Sequence, residues 1–265
     1  MGEILVKKEK FYYKVKLSRP EKHNALTPGM IQELTEFFKT AGKDKFASVI
    51  VLTGAGSSFC SGGDLAWMKS SVKFKAKENI ADATKLFEMF EAAAKCPLPI
   101  LGYVQGNVFG GGIGLVSICD IAIAEVNSKF CFSEVKLGLI PAVISSFVLR
   151  KMALNKAKEY MLTARIFDAE TAFNSGLIEF TGRELEAKAY LEETLDFIGK
   201  AGPQAIRLVK GLFERQRFLN EEQIKEVSIK TISECRVSPE GQEGLKGFLE
   251  KRKPGWVWNT HEDEE

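Results

Sequence analysis

The chain has 265 residues, 45% hydrophobic and 27% charged, and its 37 Lys and Arg against 35 Asp and Glu leave a formal net charge of +2. That apolar share supplies a full core and excludes a disordered or collagen-like chain, and the length admits one large domain or two small ones. With charge nearly balanced and no concentrated basic block, there is no electrostatic footprint for nucleic acid, whose binding needs clustered Lys and Arg to replace counterions.

Residues 1–8 lack the apolar centre of a secretory signal, and Val6 stands where a myristoylation signal wants Ser or Thr. Residues 11–17 are β-rich, with Tyr13 and Val15 alternating with lysines, and a polar turn over 18–24 follows. Thr27 and Pro28 form a cap and first turn, after which Ile31, Leu34, Phe37 and Phe38 recur at helical spacing. Residues 48–53 form a continuous apolar run closed by Gly54, as expected of a strand buried on both faces. A helical segment around 79–94 separates it from a second run, 100–104, and an apolar helix separates that from a third, 120–124. Strand, helix, strand, helix, strand reads as α/β with crossover connections.

Residues 96–119 carry no charge and are long enough to span a bilayer. Six glycines, Pro97, Pro99, Gln105 and Asn107 would carry broken helix and unsatisfied polar groups into lipid, so a buried strand, a glycine loop and a buried helix are expected instead. The protein is expected to be soluble and cytoplasmic, with no membrane partner. After about Asn155 strand-like runs stop and helical periods dominate, at 171–174, 184–199, 203–217, 221–235 and 240–250. Gly182 and residues 199–202 are candidate hinges, residues 261–265 are a solvated acidic tail, and no internal repeat is present.

The five cysteines, Cys60, Cys96, Cys119, Cys131 and Cys235, are scattered and include no Cys-x-x-Cys pair, which implies a reduced compartment and no zinc ribbon. No dinucleotide-type or NTP-type glycine loop occurs, nor a Gly-x-Ser-x-Gly elbow. With only His23 and His261, histidine zinc sites and serine-hydrolase triads lack their ligands and bases. The chemistry is therefore expected to run on a carboxylate and on backbone groups.

Two glycine clusters follow apolar strands, at 59–65 and 106–115. Ordinary turn chemistry accounts for a lone glycine pair. In the second cluster Gly110, Gly111 and Gly112 precede Leu115, Val116 and Ile118 at helical spacing, which puts backbone N–H groups at a helix N-terminus where the dipole favours negative charge. If the first loop aims another N–H at the same point, the pair can hold a thioester oxygen as it becomes an enolate. One such donor is worth roughly 3 kcal/mol.

The motifs at 17–26, 59–65, 110–112 with 119–124, 132–141, 168–172 and 247–254 together resemble the enoyl-CoA hydratase/isomerase (crotonase) superfamily over nearly the full length. The resemblance implies an α/β fold, a crotonase-like spiral of ββα units over residues 1–198 that carries the acyl-CoA site, and a C-terminal helical oligomerisation region over 199–265. It implies that Gly63 and Gly111 supply the oxyanion-hole N–H groups. It implies too that Asp64 and Leu65 lie beside the thioester, that His23, Ala25 and Leu26 line coenzyme A, and that Phe248 and Lys251 reach coenzyme A on a neighbouring subunit. Coenzyme A enters as part of the substrate, with no other cofactor and no metal.

Glu134 matches one of the two glutamates of the typical hydratase, and Gly114 stands where the other would be. Glu134 alone can activate water as a base and return the proton as an acid. An apolar stretch after it is consistent with a partly buried carboxylate of raised pKa. Residues 110–115 and 133–145 resemble methylglutaconyl-CoA and isohexenylglutaconyl-CoA hydratases, whose substrates are branched and carry a second carboxylate. Glycine at 114 is expected to shape the substrate pocket by removing a charge and opening volume.

The resulting expectation is a hydro-lyase adding water to the 2,3-double bond of an enoyl-CoA, with 3-methylglutaconyl-CoA as one example. The alternatives are an enoyl-CoA double-bond isomerase, or a non-catalytic protein holding acyl-CoA or, through Lys69, Lys73, Lys75, Lys77 and Lys85, RNA. Those lysines read first as a solvated face. An oligomer is expected, because Leu208, Leu212, Phe213, Ile224, Ile232, Leu245, Phe248 and Leu249 exceed what a short helical appendage can bury, and the resemblance implies a trimer or dimer of trimers.

Overall fold

A computed structural model describes residues 2–257; the acidic tail at 261–265 lies outside the described residues. The chain opens with β1 (Ile4–Lys8) and β2 (Tyr12–Leu17), then α1 (Pro28–Ala41), β3 (Val49–Gly54), α2 (Leu65–Ser71) and α3 (Ala76–Lys95). Next come β4 (Ile100–Val104), β5 (Asn107–Phe109), α4 (Gly111–Ser117), β6 (Ile121–Glu125), β7 (Lys129–Cys131), α5 (Ala142–Val148) and α6 (Leu154–Thr163). It continues with β8 (Phe167–Asp168), α7 (Ala169–Asn174), β9 (Phe180–Gly182), α8 (Glu184–Lys200), α9 (Pro203–Gln216), α10 (Glu221–Val237) and α11 (Pro239–Leu249).

The large sheet runs β1-β2-β3-β4-β6-β9, parallel except for the β1–β2 hairpin, and a small sheet runs β5-β7-β8. Each turn of the chain leaves a strand of the large sheet, adds a strand to the small one and returns through a helix, as in β4-β5-α4 and β6-β7-α5. The loop after β3 joins the same pattern through a single bridge from Cys60 to Val108. The result is the expected spiral of ββα units.

All six residues of β3 are buried, in keeping with its continuous apolar run. Below it α1 buries Met30, Ile31, Leu34 and Phe38, and starts where the Thr27 hydroxyl accepts the Met30 N–H at 3.0 Å. Such a cap is worth about 1 kcal/mol. The other face of the sheet meets α8, where Leu191, Leu195 and Ile198 pack on Phe11, Val49, Val51 and Leu101.

Three expectations are corrected. Strands do not stop near residue 155: β8 pairs with β7, and β9 extends the large sheet beside β6. Strands of two and three residues are too short to show a period of two. Gly182 is no hinge, because it sits in β9 opposite Glu125 and its carbonyl accepts the Val126 N–H at 2.7 Å. Gly199 lies inside α8, where a Cβ would stand 3.0 Å from the Phe11 ring, so it is a close-packing point. Only Ala201 and Gly202 separate α8 from α9.

The C-terminal helices follow a different rule. Neither α9 nor α10 buries a residue, and Phe213 and Phe248 are 64% and 83% exposed. Long cationic side chains tether α9 to the core. Arg207 donates to the Gly42 and Ala47 carbonyls at 2.8 and 2.7 Å, and Lys210 to the Leu98 carbonyl at 3.0 Å.

Candidate active site

The first glycine loop is held from below by the turn after β2. Asn24, fully buried and in the left-handed region at φ 53°, donates to the Ala55 and Ser58 carbonyls, each at 2.8 Å. Leu26 then runs beside the loop: its N–H donates to the Gly62 carbonyl at 2.7 Å, and its carbonyl accepts the Asp64 N–H at 2.9 Å. Both bonds belong to the residues flanking Gly63, so the Gly63 N–H faces away from Leu26. No acceptor among the described residues takes it.

The second loop is laced to the first. Cys60 donates to the Asn107 carbonyl at 3.2 Å and accepts the Phe109 N–H at 3.0 Å. Gly110 has φ 47° and ψ −115°, a conformation that requires glycine, and its carbonyl accepts the Ile113 N–H at 2.9 Å to start α4. The Gly111 N–H, at the first position of that helix, has no partner within it. Leu26 ties the two glycines together, since it bridges Gly63 through its backbone while its δ-methyl lies 2.7 Å from where a Gly111 Cβ would stand.

Glu134 begins a short 3-10 turn, Glu134–Leu137, closed by Gly138 at φ 71°. Its Oε1 lies 3.1 Å from the position of a Gly110 Cβ, so the carboxyl sits directly over the start of α4. Its Oε2 is buried with no hydrogen-bond partner among the described residues. Burial pushes its pKa up, and a bond to its own backbone opposes this only in part. The structure thus brings Glu134, Gly63 and Gly111 to one place.

The remaining site residues divide. His23, at φ 49°, is fixed through Nδ1 to the Ser58 hydroxyl at 3.0 Å, and the Ala25 carbonyl accepts from Arg19 at 2.8 Å. Leu65 is 77% exposed at the start of α2, free to meet a ligand. Asp64 holds its loop in shape. Its Oδ1 accepts the Ala66 and Trp67 N–H groups at 2.8 and 3.3 Å, and its Oδ2 accepts from Arg19 at 3.0 Å. Burial raises its pKa, but Arg19 and the helix N–H groups outweigh burial and hold it below the usual carboxylate value. Both oxygens are committed to shaping the loop. Arg19, which also pairs with Glu3 at 3.1 Å, is the organiser that the sequence reading left unassigned. Phe248 and Lys251 stand with the C-terminal helices, α11 packing on α9 and α10.

Gly114 is a correction. A Cβ there would lie 2.6 Å from both Phe90 Cζ and Ile144 Cγ2, and Phe90 is fully buried. The place of the second glutamate is filled by an aromatic ring and a methyl group, not opened to substrate. Phe90 continues into Phe147 at 5.5 Å between centroids, which also meets Phe87 at 5.4 Å. No local signal marked Phe90 or Ile144, because the contact joins residues 90, 114 and 144 from three helices. The described residues hold no cluster of His, Cys, Asp and Glu fit for a metal, and no helix long and apolar enough to cross a membrane.

The family profile described as enoyl-CoA hydratase/isomerase matches residues 8–259. The enoyl-CoA hydratase AKT6-1 of Alternaria alternata is 37% identical over 247 residues, covering 91% of this chain and 79% of its own. The crystal structure of an enoyl-CoA hydratase from Shewanella pealeana superposes with a TM-score of 0.91 at 36% identity, covering 96% of each chain. Pseudomonas aeruginosa AtuE gives 0.93 at 30% identity over 97% of this chain and 100% of its own. The chain belongs to the enoyl-CoA hydratase/isomerase family.

Proposed function

We propose that the protein hydrates 2-enoyl-CoA thioesters with Glu134 as its one proton carrier. The observation that carries this reading is the Glu134 carboxyl, buried, with one oxygen free, lying over the turn that presents the Gly111 N–H. The thioester oxygen would lie between the Gly63 and Gly111 N–H groups. Ionised Glu134 takes a proton from water as the oxygen bonds to C3, and the electron pair of the double bond moves onto the thioester oxygen. Glu134 then returns that proton to C2, which restores the carbonyl and the carboxylate. Coenzyme A is part of the substrate, and the mechanism uses no further cofactor. The names of the hydratases quoted above support the reaction class.

The branched, dicarboxylic acyl group loses its rationale, because Phe90 and Ile144 occupy the volume that Gly114 was expected to open. The same apolar wall favours a second reading, double-bond isomerisation. There Glu134 takes a proton from C2 of a 3-enoyl-CoA and returns it to C4, with no water admitted. Incubation of crotonyl-CoA and a 3-enoyl-CoA in heavy-oxygen water separates the two. A labelled 3-hydroxyl supports hydration, whereas shifted double bonds without label overturn it.

The exposed apolar faces of α9 to α11 support a homo-oligomer, a trimer or a pair of trimers, in which Phe248 and Lys251 of one copy complete the coenzyme A site of the next.

A further inference from the structure

At the C-terminal end of α4, opposite the glycine loops, a cavity of 720 Å³ separates α9 from the core. Its size falls in the range of small-molecule sites. Lys151 bonds the Cys119 carbonyl at 3.1 Å and Glu179 at 3.0 Å, and Lys210 bonds the Leu98 carbonyl at 3.0 Å and Asp120 at 2.8 Å. Each lysine therefore has its own carboxylate. The arginines do not: Arg150 and Arg217 share Glu214, at 3.3 and 3.6 Å. Arg150 Nε is buried and has no acceptor among the described residues. One positive charge remains unbalanced among the side chains that line the cavity. Beside them Phe147, which lies under the Arg150 guanidinium at 4.8 Å, and the exposed Phe213 give an apolar lining.

We propose that this cavity binds an organic monocarboxylate with a short apolar body, the carboxylate accepting from the guanidinium groups of Arg150 and Arg217. A single surplus charge suits a monoanion, and the planar guanidinium suits a carboxylate. The lining by Phe213 and Phe147 selects an apolar body over a small inorganic ion. This site is separate from the acyl-CoA site and stands independently of the hydration reading.

Titration calorimetry with octanoate on the full-length protein in its own assembly, with coenzyme A saturating, tests the proposal. One octanoate per chain should bind, and acetate, which lacks the body, should bind more weakly. Arg150→Gln should weaken octanoate roughly tenfold or more, through loss of a charge-assisted hydrogen bond. Glu214→Gln, which removes the competing carboxylate, should tighten it. No saturable binding, binding abolished by coenzyme A, or an affinity unmoved by both variants would overturn the proposal.

Discussion

Helix α4 and helix α9 are both built around glycine, yet their surroundings are opposite. Of the seven residues of α4, Gly112 through Ser117 are all buried, and a Cβ on Gly114 would collide with Phe90 and Ile144. In α9 no residue is buried, and a Cβ on Gly211 meets nothing within 4 Å. Contacts within one chain therefore determine the N-terminal end of α4 and the N–H groups it presents, whereas α9 has its apolar side still to be covered. The proposed catalytic geometry draws on the first region and the proposed assembly on the second.

Substitutions can break this contrast, beginning with the largest effect. Glu134→Gln removes the base while keeping its shape, so turnover of crotonyl-CoA should fall roughly 10²- to 10⁴-fold with substrate affinity retained. Steady-state kinetics beside direct binding of the thioester check it. Gly114→Ala should cost about 1–3 kcal/mol of stability through overpacking, read as a lowered denaturant midpoint. The same exchange at Gly211 should have the opposite sign, stabilising by about 0.5–1 kcal/mol, because alanine is the better helix former and the space is open. Equal costs at both positions would refute the contrast. Phe213→Asp should change chain stability by no more than about 0.5 kcal/mol. If α9 is covered by a second copy, however, sedimentation should shift toward the monomer, and an unchanged assembly would exclude Phe213 from the interface.

The smallest effect concerns pH. Burial raises the Glu134 pKa in the native state, so the folded chain holds that proton more tightly than the unfolded chain. The stabilisation is present below the ordinary carboxylate pKa and is lost as pH rises through the raised native value. Glu134→Gln does not ionise, so it should match the parent in acid and exceed it in stability above that window. Denaturant midpoints at one pH on each side read the difference.

The fold was largely legible because its signals are local. The run at 48–53 announces a strand buried on both faces, and Thr27-Pro28 announces the start of α1. Strands β8 and β9 were not, since two or three residues carry no period and their pairing comes from β7 and β6. The site followed the same division. Gly63, Gly111 and Glu134 stand out only through the family resemblance of their motifs. The commitment of Asp64 to Arg19, and the filling of the Gly114 position by Phe90 and Ile144, join residues 24 to 45 positions apart and left no mark in any single motif.

The central claim, that one carboxylate carries the proton between solvent and the carbon skeleton, is tested most directly by deuterium incorporation at C2 when 3-hydroxybutyryl-CoA is formed from crotonyl-CoA in heavy water. The account predicts one deuterium at C2 in each product of the parent protein, and incorporation slowed in proportion to turnover in Glu134→Gln. Incorporation at the parental rate in that variant would contradict it.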